Sequence, residues 1–382
     1  MSFKLPQKEI EKLLQKSPTT SWRSILDSAS PEQPLDLEQC AVILNHFSND
    51  PSILPLLRER ANKVKQEVFG SSVKIFIPLY LSNVCQNDCL YCSYRKSHTA
   101  MPRRTLSEEE FGAEVAHVIS MGYRVLEIVT SECPEFKRQG KLASYIKTAK
   151  ELLNSSPEPS SGEIILMPWA LSTEEFEGLK EAGCDAFYLW QETYQIDKYS
   201  LLHPKGTPKS DFQWRVEVFD RAIQSGFKRV GLGILFGLGK WNFDVLALIA
   251  HGKYLEQTYK VSPDALGIPR FKPAEGASIK EALHPVSDDE LKAAVALYRL
   301  AFPHSHVFLN TREKLPLIFE LLEGGGSEMN IACAIFPGAY THPAKERQFD
   351  HYSYPTDKVI SMLLEKGYKP IHFVRPKEAL LR

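Results

Sequence analysis

The sequence predicts an α/β fold, a (β/α)8 TIM-type barrel with an N-terminal helical extension, and three observations carry that prediction. Strand-like apolar runs recur eight times between residues 73 and 336. A stretch with helical periodicity follows most of them. The runs are mostly continuous rather than alternating, as expected of parallel strands buried on both faces. An open doubly wound sheet is the alternative that the same pattern permits. The glycine-rich "GLGILFGLG" at 231–239 does not favour it, because it lacks the G-x-G-x-x-G order and its glycines interrupt a strand.

The elements follow in order. Helical patterns lie at about 7–16, 36–47 and 53–67, and residues 1–70 read as the helical extension. The first strand is "VKIFIPLYLS" at 73–82. A helix at about 107–121 is opened by Ser107, with acidic residues in its first turn. Strands then recur at "VLEIVTS" (125–131), "EIILMPW" (163–169), "AFYLWQE" (186–192) and "RVGLGILF" (229–236). The last three are "LGIPRF" (266–271), "HVFLN" (306–310) and "MNIACAIF" (329–336). Between them stand helical patterns such as "TEEFEGLKEAG", "QWRVEVFDRAIQSG", "DDELKAAVALYRLAF" and "LPLIFELLEGG", and "DKVISMLLEKG" follows the eighth strand. The stretch "SSPEPSSGE" (155–163) reads as a surface loop within a barrel spanning 71–370, and 371–382 as a tail.

Composition narrows the function. The 382 residues carry a net charge of −1, which gives no standing attraction to nucleic acid or to an anionic membrane. The basic run "MPRR" (101–104) reads as a solvated face. No stretch approaches the roughly 18 unbroken apolar residues of a membrane span. The N-terminus is an amphipathic, lysine-bearing helix pattern rather than an apolar signal sequence, so a cytoplasmic protein is expected. Seven cysteines with no sign of export give no disulfide framework. Cys40, Cys133, Cys184 and Cys333 are scattered and read as small buried apolar residues.

The other three are clustered. In "SNVCQNDCLYCSYR" (82–95), Cys85, Cys89 and Cys92 have C-x3-C-x2-C spacing. Their loop follows the first strand, at the end where barrel enzymes build active sites. Thiolates suit zinc or iron–sulfur clusters. Structural zinc wants four protein ligands, and no C-x-x-C or Cys/His pair downstream closes the set. A ferredoxin site also wants a fourth cysteine. Three thiols fit a 4Fe–4S cube with one iron left open. Zinc with a distant histidine, or a redox-inert thiol core, stays open as an alternative.

This loop resembles that of the radical S-adenosylmethionine (SAM) enzymes. The resemblance implies a 4Fe–4S cluster on Cys85, Cys89 and Cys92, S-adenosylmethionine chelated at the open iron, and Tyr91 against its adenine. The segments "FIPLYLSNVCQNDCLYC", "YLWQETYQIDKYSLLHPKG", "DFQWRVEVFDRAIQSGFKRVGLGILFGL", "IPRFKPAEG", "NTRE" and "PGAYTHPAKERQF" run in order over roughly residues 20–370. They are similar to the aromatic amino acid lyases, which include 2-iminoacetate synthase of thiamine biosynthesis and the tyrosine lyase that matures iron-only hydrogenase. With no cysteine after Cys333, the chain has the outline of the thiamine-type enzyme. The implied reaction cleaves the Cα–Cβ bond of tyrosine to 2-iminoacetate (dehydroglycine) and p-cresol. The implied partners are the amino acid, a flavodoxin or ferredoxin as electron donor, and a thiazole synthase.

Further site residues follow from the resemblance. Glu132 accepts from the methionine ammonium, with Ser131 where the family has glycine. Arg215 in "QWR" pairs with a carboxylate of S-adenosylmethionine, and Gln191 and Glu192 bond the cofactor ribose or the substrate. Arg312 in "NTRE" suits bidentate binding of the amino acid carboxylate. The chain departs from the tyrosine lyases where they carry polar residues before "PGGY": here Cys333, Ala334, Ile335 and Phe336 precede "PGAY". "DHYSYP" follows "QF" where an Asp and an Arg are usual, and Trp169 and Ala170 end the third strand. Tyrosine is therefore the family default, with tryptophan or another aromatic compound as the alternative substrate. A non-catalytic iron–sulfur scaffold is the alternative of a different class.

Overall fold

The structure, a computed structural model, describes residues 2–16, 21–138, 140–155 and 162–374. Residues 156–161 of the expected surface loop and 375–382 of the expected tail lie outside the described residues. Eight parallel strands form the barrel: β1 (Ser72–Ser82), β2 (Val125–Thr130), β3 (Glu163–Met167), β4 (Ala186–Glu192), β5 (Val230–Ile234), β6 (Ala265–Gly267), β7 (His306–Leu309) and β8 (Glu328–Asn330). β1 bonds both β2 and β8, so the sheet closes and the open-sheet alternative is excluded. A short ninth strand, β9 (Lys369–Ile371), pairs with the first residues of β1.

Four helices precede the barrel: α1 (Gln7–Gln15), α2 (Trp22–Ser28), α3 (Leu37–Asn49) and α4 (Leu54–Phe69). The second was not anticipated from the sequence. α3 begins in a capping box, Asp36 with Gln39, and the helix Glu108–Ser120 begins in another, Ser107 with Glu110. Such reciprocal bonds satisfy donors that a helix start otherwise leaves unpaired. The "TEEFEGLKEAG" pattern yields only one turn of helix, Thr173–Phe176, before Gly178 takes φ 76°. "QWRVEVFDRAIQSG" divides into Phe212–Val216 and Val218–Gln224.

The eighth strand is much shorter than its apolar run. It stops at Asn330, and Ala332 at φ 53° turns the chain out of the strand direction. Cys333, Ala334, Ile335 and Phe336 are therefore loop, not strand. The Ala334 N–H donates to Tyr340 Oη at 3.1 Å, and Tyr94 Oη donates to the Ile335 carbonyl at 2.5 Å.

The barrel interior is layered. At the N-terminal ends of the strands, Lys74 pairs with Glu163 (2.9 Å) and Glu328 (3.2 Å). Beside it, Arg229 pairs with Asp264 (2.9 Å) and Glu163 (2.9 Å). An apolar layer follows, holding Phe76, Val125, Ile165, Tyr188, Ala265 and Phe308. The glycines of β5 now have a reason. A Cβ at Gly231 would lie 2.4 Å from the Tyr188 ring, and one at Gly233 would lie 2.3 Å from Trp190. These two positions give the large rings of β4 their room.

Candidate active site

β1 ends at Ser82, whose Oγ accepts from the Val84 N–H (3.1 Å) and meets Thr105 Oγ1 (2.8 Å), turning the chain into the cysteine loop. Side-chain clamps hold that loop. Asp88 accepts from Arg95 Nε (2.8 Å) and Nη2 (3.0 Å). Arg103 donates to the carbonyls of Asn83 (2.7 Å), Tyr94 (2.9 Å), Arg95 (2.6 Å) and His98 (3.1 Å). The "MPRR" run is thus a clamp on the cysteine loop rather than a plain solvated face. A Ser131 Oγ bond to the Val84 carbonyl (2.7 Å) fixes the loop to the end of β2.

The loop borders a cavity of about 1370 Å3, counting its open mouth, at the C-terminal end of the barrel. Cys85, Cys89 and Cys92 line it, as do Tyr91, Ser131, Glu132, Glu192, Arg215 and Arg312. Gln191 does not. It is the extra residue of a β-bulge, where the pairing passes from Trp190–Gly233 directly to Glu192–Ile234. The Gln191 amide is buried off the cavity wall, with neither end hydrogen-bonded to a described residue. The bulge sets Glu192 at φ 75° with its carboxyl on the cavity, a re-aiming that bulges near sites commonly perform. Cys40, Cys133 and Cys184 are buried away from this wall as expected, whereas buried Cys333 lines it.

The contacts divide the cavity into regions. Glu132 accepts from Asn87 Nδ2 (2.7 Å) and Lys137 Nζ (2.6 Å). Glu192 accepts from Lys209 Nζ (2.5 Å), and Arg215 Nη2 lies 3.6 Å from it while donating to the Trp190 carbonyl (2.6 Å). Burial pushes the Glu192 carboxyl up, but Lys209 and Arg215 more than offset this and hold it below the ordinary carboxylate range. Tyr91 Oη receives from Lys209 Nζ (3.0 Å) and lies 3.0 Å from His203 Nε2. Burial, then Lys209 and Arg215, keep His203 neutral. Its Nδ1 faces the Tyr199 carbonyl at 2.8 Å, which can only accept. The proton therefore sits on Nδ1, and Nε2 accepts from Tyr91.

Arg312 differs from the other cations here. Its guanidinium stacks on Phe349, 3.3 Å from the ring centroid, and pairs with no carboxylate among the described residues. Burial pushes it down to about 10. An unpaired, desolvated guanidinium on a cavity wall is a receptor for a carboxylate.

Sequence reasoning missed Lys209, Asn87 and Glu127. Lys209 meets Glu192 across 17 residues and Tyr91 across 118, and Asn87 meets Glu132 across 45, in no spacing that a motif records. Glu127 did leave a signal, a lone acid inside the apolar run of β2.

The three clustered thiols are free and share one cavity wall. Among the described residues no three His, Cys, Asp or Glu side chains converge tightly enough to hold a single metal ion. Burial pushes all three thiols up, Cys89 to about 12, so only a bound cation would keep them as thiolates at neutral pH. Iron supplies that charge, and three thiolates facing open space fit a cluster with one uncommitted corner. Fold and donor set together define a barrel enzyme built around an iron–sulfur cluster.

The comparisons with known proteins name its kind. Residues 79–250 match the Radical SAM superfamily, and residues 267–369 match the Biotin and Thiamin Synthesis associated domain. The chain is 31% identical over 322 residues to 2-iminoacetate synthase of Escherichia coli, covering 83% of this chain and 82% of that one. It superposes on HydG, a maturase of the [FeFe]-hydrogenase, with a TM-score of 0.89 and 30% identity, covering 96% of this chain and 80% of that one. HydG from Carboxydothermus hydrogenoformans gives a TM-score of 0.81 at 32% identity, with the same coverage. The chain belongs to the radical SAM family that contains 2-iminoacetate synthase and HydG. It is a radical SAM lyase, and its cofactors are a 4Fe–4S cluster and S-adenosylmethionine. Among the described residues no helix is long and apolar enough to cross a membrane.

Proposed function

We propose that the protein cleaves the Cα–Cβ bond of an aromatic amino acid, by family default L-tyrosine, giving 2-iminoacetate and p-cresol. The observation that carries this is Arg312, a half-buried guanidinium without a carboxylate partner among the described residues, on the same cavity as the three cysteines. When bound, the cluster and S-adenosylmethionine would supply one-electron radical chemistry, the removal of one hydrogen atom from the substrate. All else in this mechanism is placement. Cys85, Cys89 and Cys92 hold the cluster. Glu132 and Ser131 face the methionine end of the cofactor, Tyr91 the adenine, and Arg215 and Glu192 its polar groups. Arg312 fixes the substrate carboxylate, and the wall of Trp190, Phe308 and Ile335 excludes water around the ring. The off-wall position of Gln191 leaves it a supporting role behind Glu192.

The same proposal places the protein in the cytoplasm, with a flavodoxin or ferredoxin supplying electrons and a thiazole synthase as a partner. It divides the chain into a helical extension (1–70), a barrel (71–370) and a tail (371–382). A second substrate reading, tryptophan or another aromatic compound, is favoured by the apolar Cys333 and Ile335 that the loop after β8 brings to the cavity. The test is anaerobic reconstitution followed by incubation with reductant, S-adenosylmethionine and each aromatic amino acid separately. 5′-Deoxyadenosine together with p-cresol and glyoxylate from tyrosine supports the default. Product from tryptophan alone transfers the assignment to the second reading. Cofactor cleavage that no aromatic amino acid stimulates overturns both.

A further inference from the structure

Glu127 is a buried acid on the cavity wall, and among the described residues no donor meets it. It lies at the centre of β2, where Val125 belongs to the apolar layer of the barrel and Val129 lines the cavity. Side chains alternate along a strand, so Glu127 points inward with them. It is 4% exposed and lines the cavity beside Trp190, Phe308 and Asn330. Its Oε1 is buried without a hydrogen-bond partner, and no described residue donates to either oxygen or pairs with the carboxyl. Lys74, a basic group of the barrel interior, is committed to Glu163 and Glu328, and no salt bridge joins Glu127 to Arg312, which lines the same cavity, among the described residues. Asn330, which lines the same cavity, has its Oδ1 taken by the Thr311 N–H at 2.9 Å.

A buried polar group left unpaired costs free energy, and in the interior of a barrel an apolar residue fits the position better. A partner that arrives with the ligand resolves the conflict. We infer that Glu127 is a specificity-determining residue whose carboxyl accepts a hydrogen bond from a donor at the far end of the substrate ring, a phenolic O–H or an indole N–H. Burial, with Glu328 adding to it, pushes this carboxyl up to about 8, so at neutral pH it is a neutral acid that receives a donor without demanding a cation. Arg312 and Glu127 then read opposite ends of one molecule, the amino acid carboxylate and the polar tip of the ring. This rests on the proposed function, since it presumes an aromatic amino acid in the cavity.

The experiment uses the reconstituted holoenzyme with S-adenosylmethionine and two substrate pairs, L-tyrosine against L-phenylalanine and L-tryptophan against 1-methyl-L-tryptophan. Anaerobic binding and kcat/KM for 5′-deoxyadenosine formation are measured for each. A site built to bond a donor rejects the analogue lacking it strongly, so the unmodified enzyme should prefer the donor-bearing member at least 100-fold. Glu127→Leu should bring that ratio within about tenfold while leaving turnover of the analogue intact or improved. Glu127→Gln, whose amide oxygen still accepts, should keep most of the preference. A purely structural role would move both members of a pair together and leave the ratio unchanged. Equal use of both members by the unmodified enzyme, or an unchanged ratio in Glu127→Leu, overturns the inference while the proposed function stands. If no aromatic amino acid binds or is turned over, the proposed function falls and the inference with it. Equal use of both members by the unmodified enzyme overturns the inference even where Glu127→Leu folds poorly, and Glu127→Met then carries the variant comparison.

Discussion

Arg312 offers a perturbation whose two effects have opposite signs. In the protein without substrate its guanidinium is half-buried, stacked on Phe349 and paired with no carboxylate among the described residues. Desolvation holds it about 2.5 powers of ten below its ordinary value, and each power of ten is about 1.4 kcal/mol, so the desolvated charge costs at most about 3.5 kcal/mol. The stack on Phe349 returns up to about 2 kcal/mol when desolvated. Arg312→Met keeps the hydrophobic contact with the ring and removes the charge. The variant should therefore be as stable as the unmodified protein or more stable, by up to about 1.5 kcal/mol. Binding moves the other way. Losing a desolvated partner of a carboxylate costs about 2–5 kcal/mol, roughly 30- to 4000-fold in affinity.

The assay is thermal unfolding of the anaerobic holoprotein with and without the amino acid, beside direct binding measurements. Without ligand, Arg312→Met should melt at or above the unmodified protein. With ligand, the unmodified protein should gain stability in proportion to the logarithm of ligand concentration over Kd, and the variant should need roughly 30- to 4000-fold more ligand for the same gain. A variant that melts lower and binds the amino acid normally would show that Arg312 is part of the scaffold, and would refute its placement at the substrate carboxylate.

Three other outcomes follow from the geometry. Replacing Cys85, Cys89 or Cys92 with Ala should abolish the roughly four irons per chain expected on reconstitution, whereas Cys40→Ala, buried in the core, should not; iron and sulfide analysis checks both. Glu127 binds its proton more tightly folded (about 8) than unfolded (about 4.3), so stability falls as pH rises from about 4.3 to about 8, by up to about 1.4 kcal/mol per unit, and levels off above; Glu127→Gln should flatten this slope in denaturant titrations between pH 5 and 8, and an unchanged slope would show that the carboxyl is already ionised. Gly233→Ala drives a Cβ to 2.3 Å from Trp190, so overpacking of about 1–3 kcal/mol and a shifted tryptophan emission are expected, and an unaltered melting temperature would contradict the role given to β5.

Much of the barrel was legible in the sequence because its strands are buried on both faces, which turns each into a continuous apolar run. The same property hid the end of β8. Cys333, Ile335 and Phe336 are as apolar as the strand before them, yet they pack on Tyr80, Tyr94 and Met101 at the barrel mouth. No hydrophobicity pattern separates an apolar strand from an apolar loop that closes over it. The cysteine loop was readable because its chemistry is local, with all three thiols inside eight residues. Gln191 and Glu192 were read as equivalent because the bulge that parts them is a backbone event, visible only in the pairing with β5.

Arg312 and Glu127, each without a charged partner among the described residues, explain each other better together than singly. A guanidinium and a carboxyl that served only the fold would gain most by meeting, and no ion pair joins Arg312 to Glu127 among the described residues. The cationic cluster by the cysteines shows what this protein does when it wants neutralisation: Lys209 and Arg215 both close on Glu192. Arg312 is instead held by an aromatic face, which steadies its plane while leaving the N–H edge available. Glu127 is held by apolar neighbours, which keep it neutral. Each arrangement is unfavourable in the empty cavity and becomes favourable only around a molecule with an anionic end and a donor end. That pair of requirements describes the substrate more narrowly than the fold does, because the fold supplies the cluster and the radical chemistry whichever ring is bound.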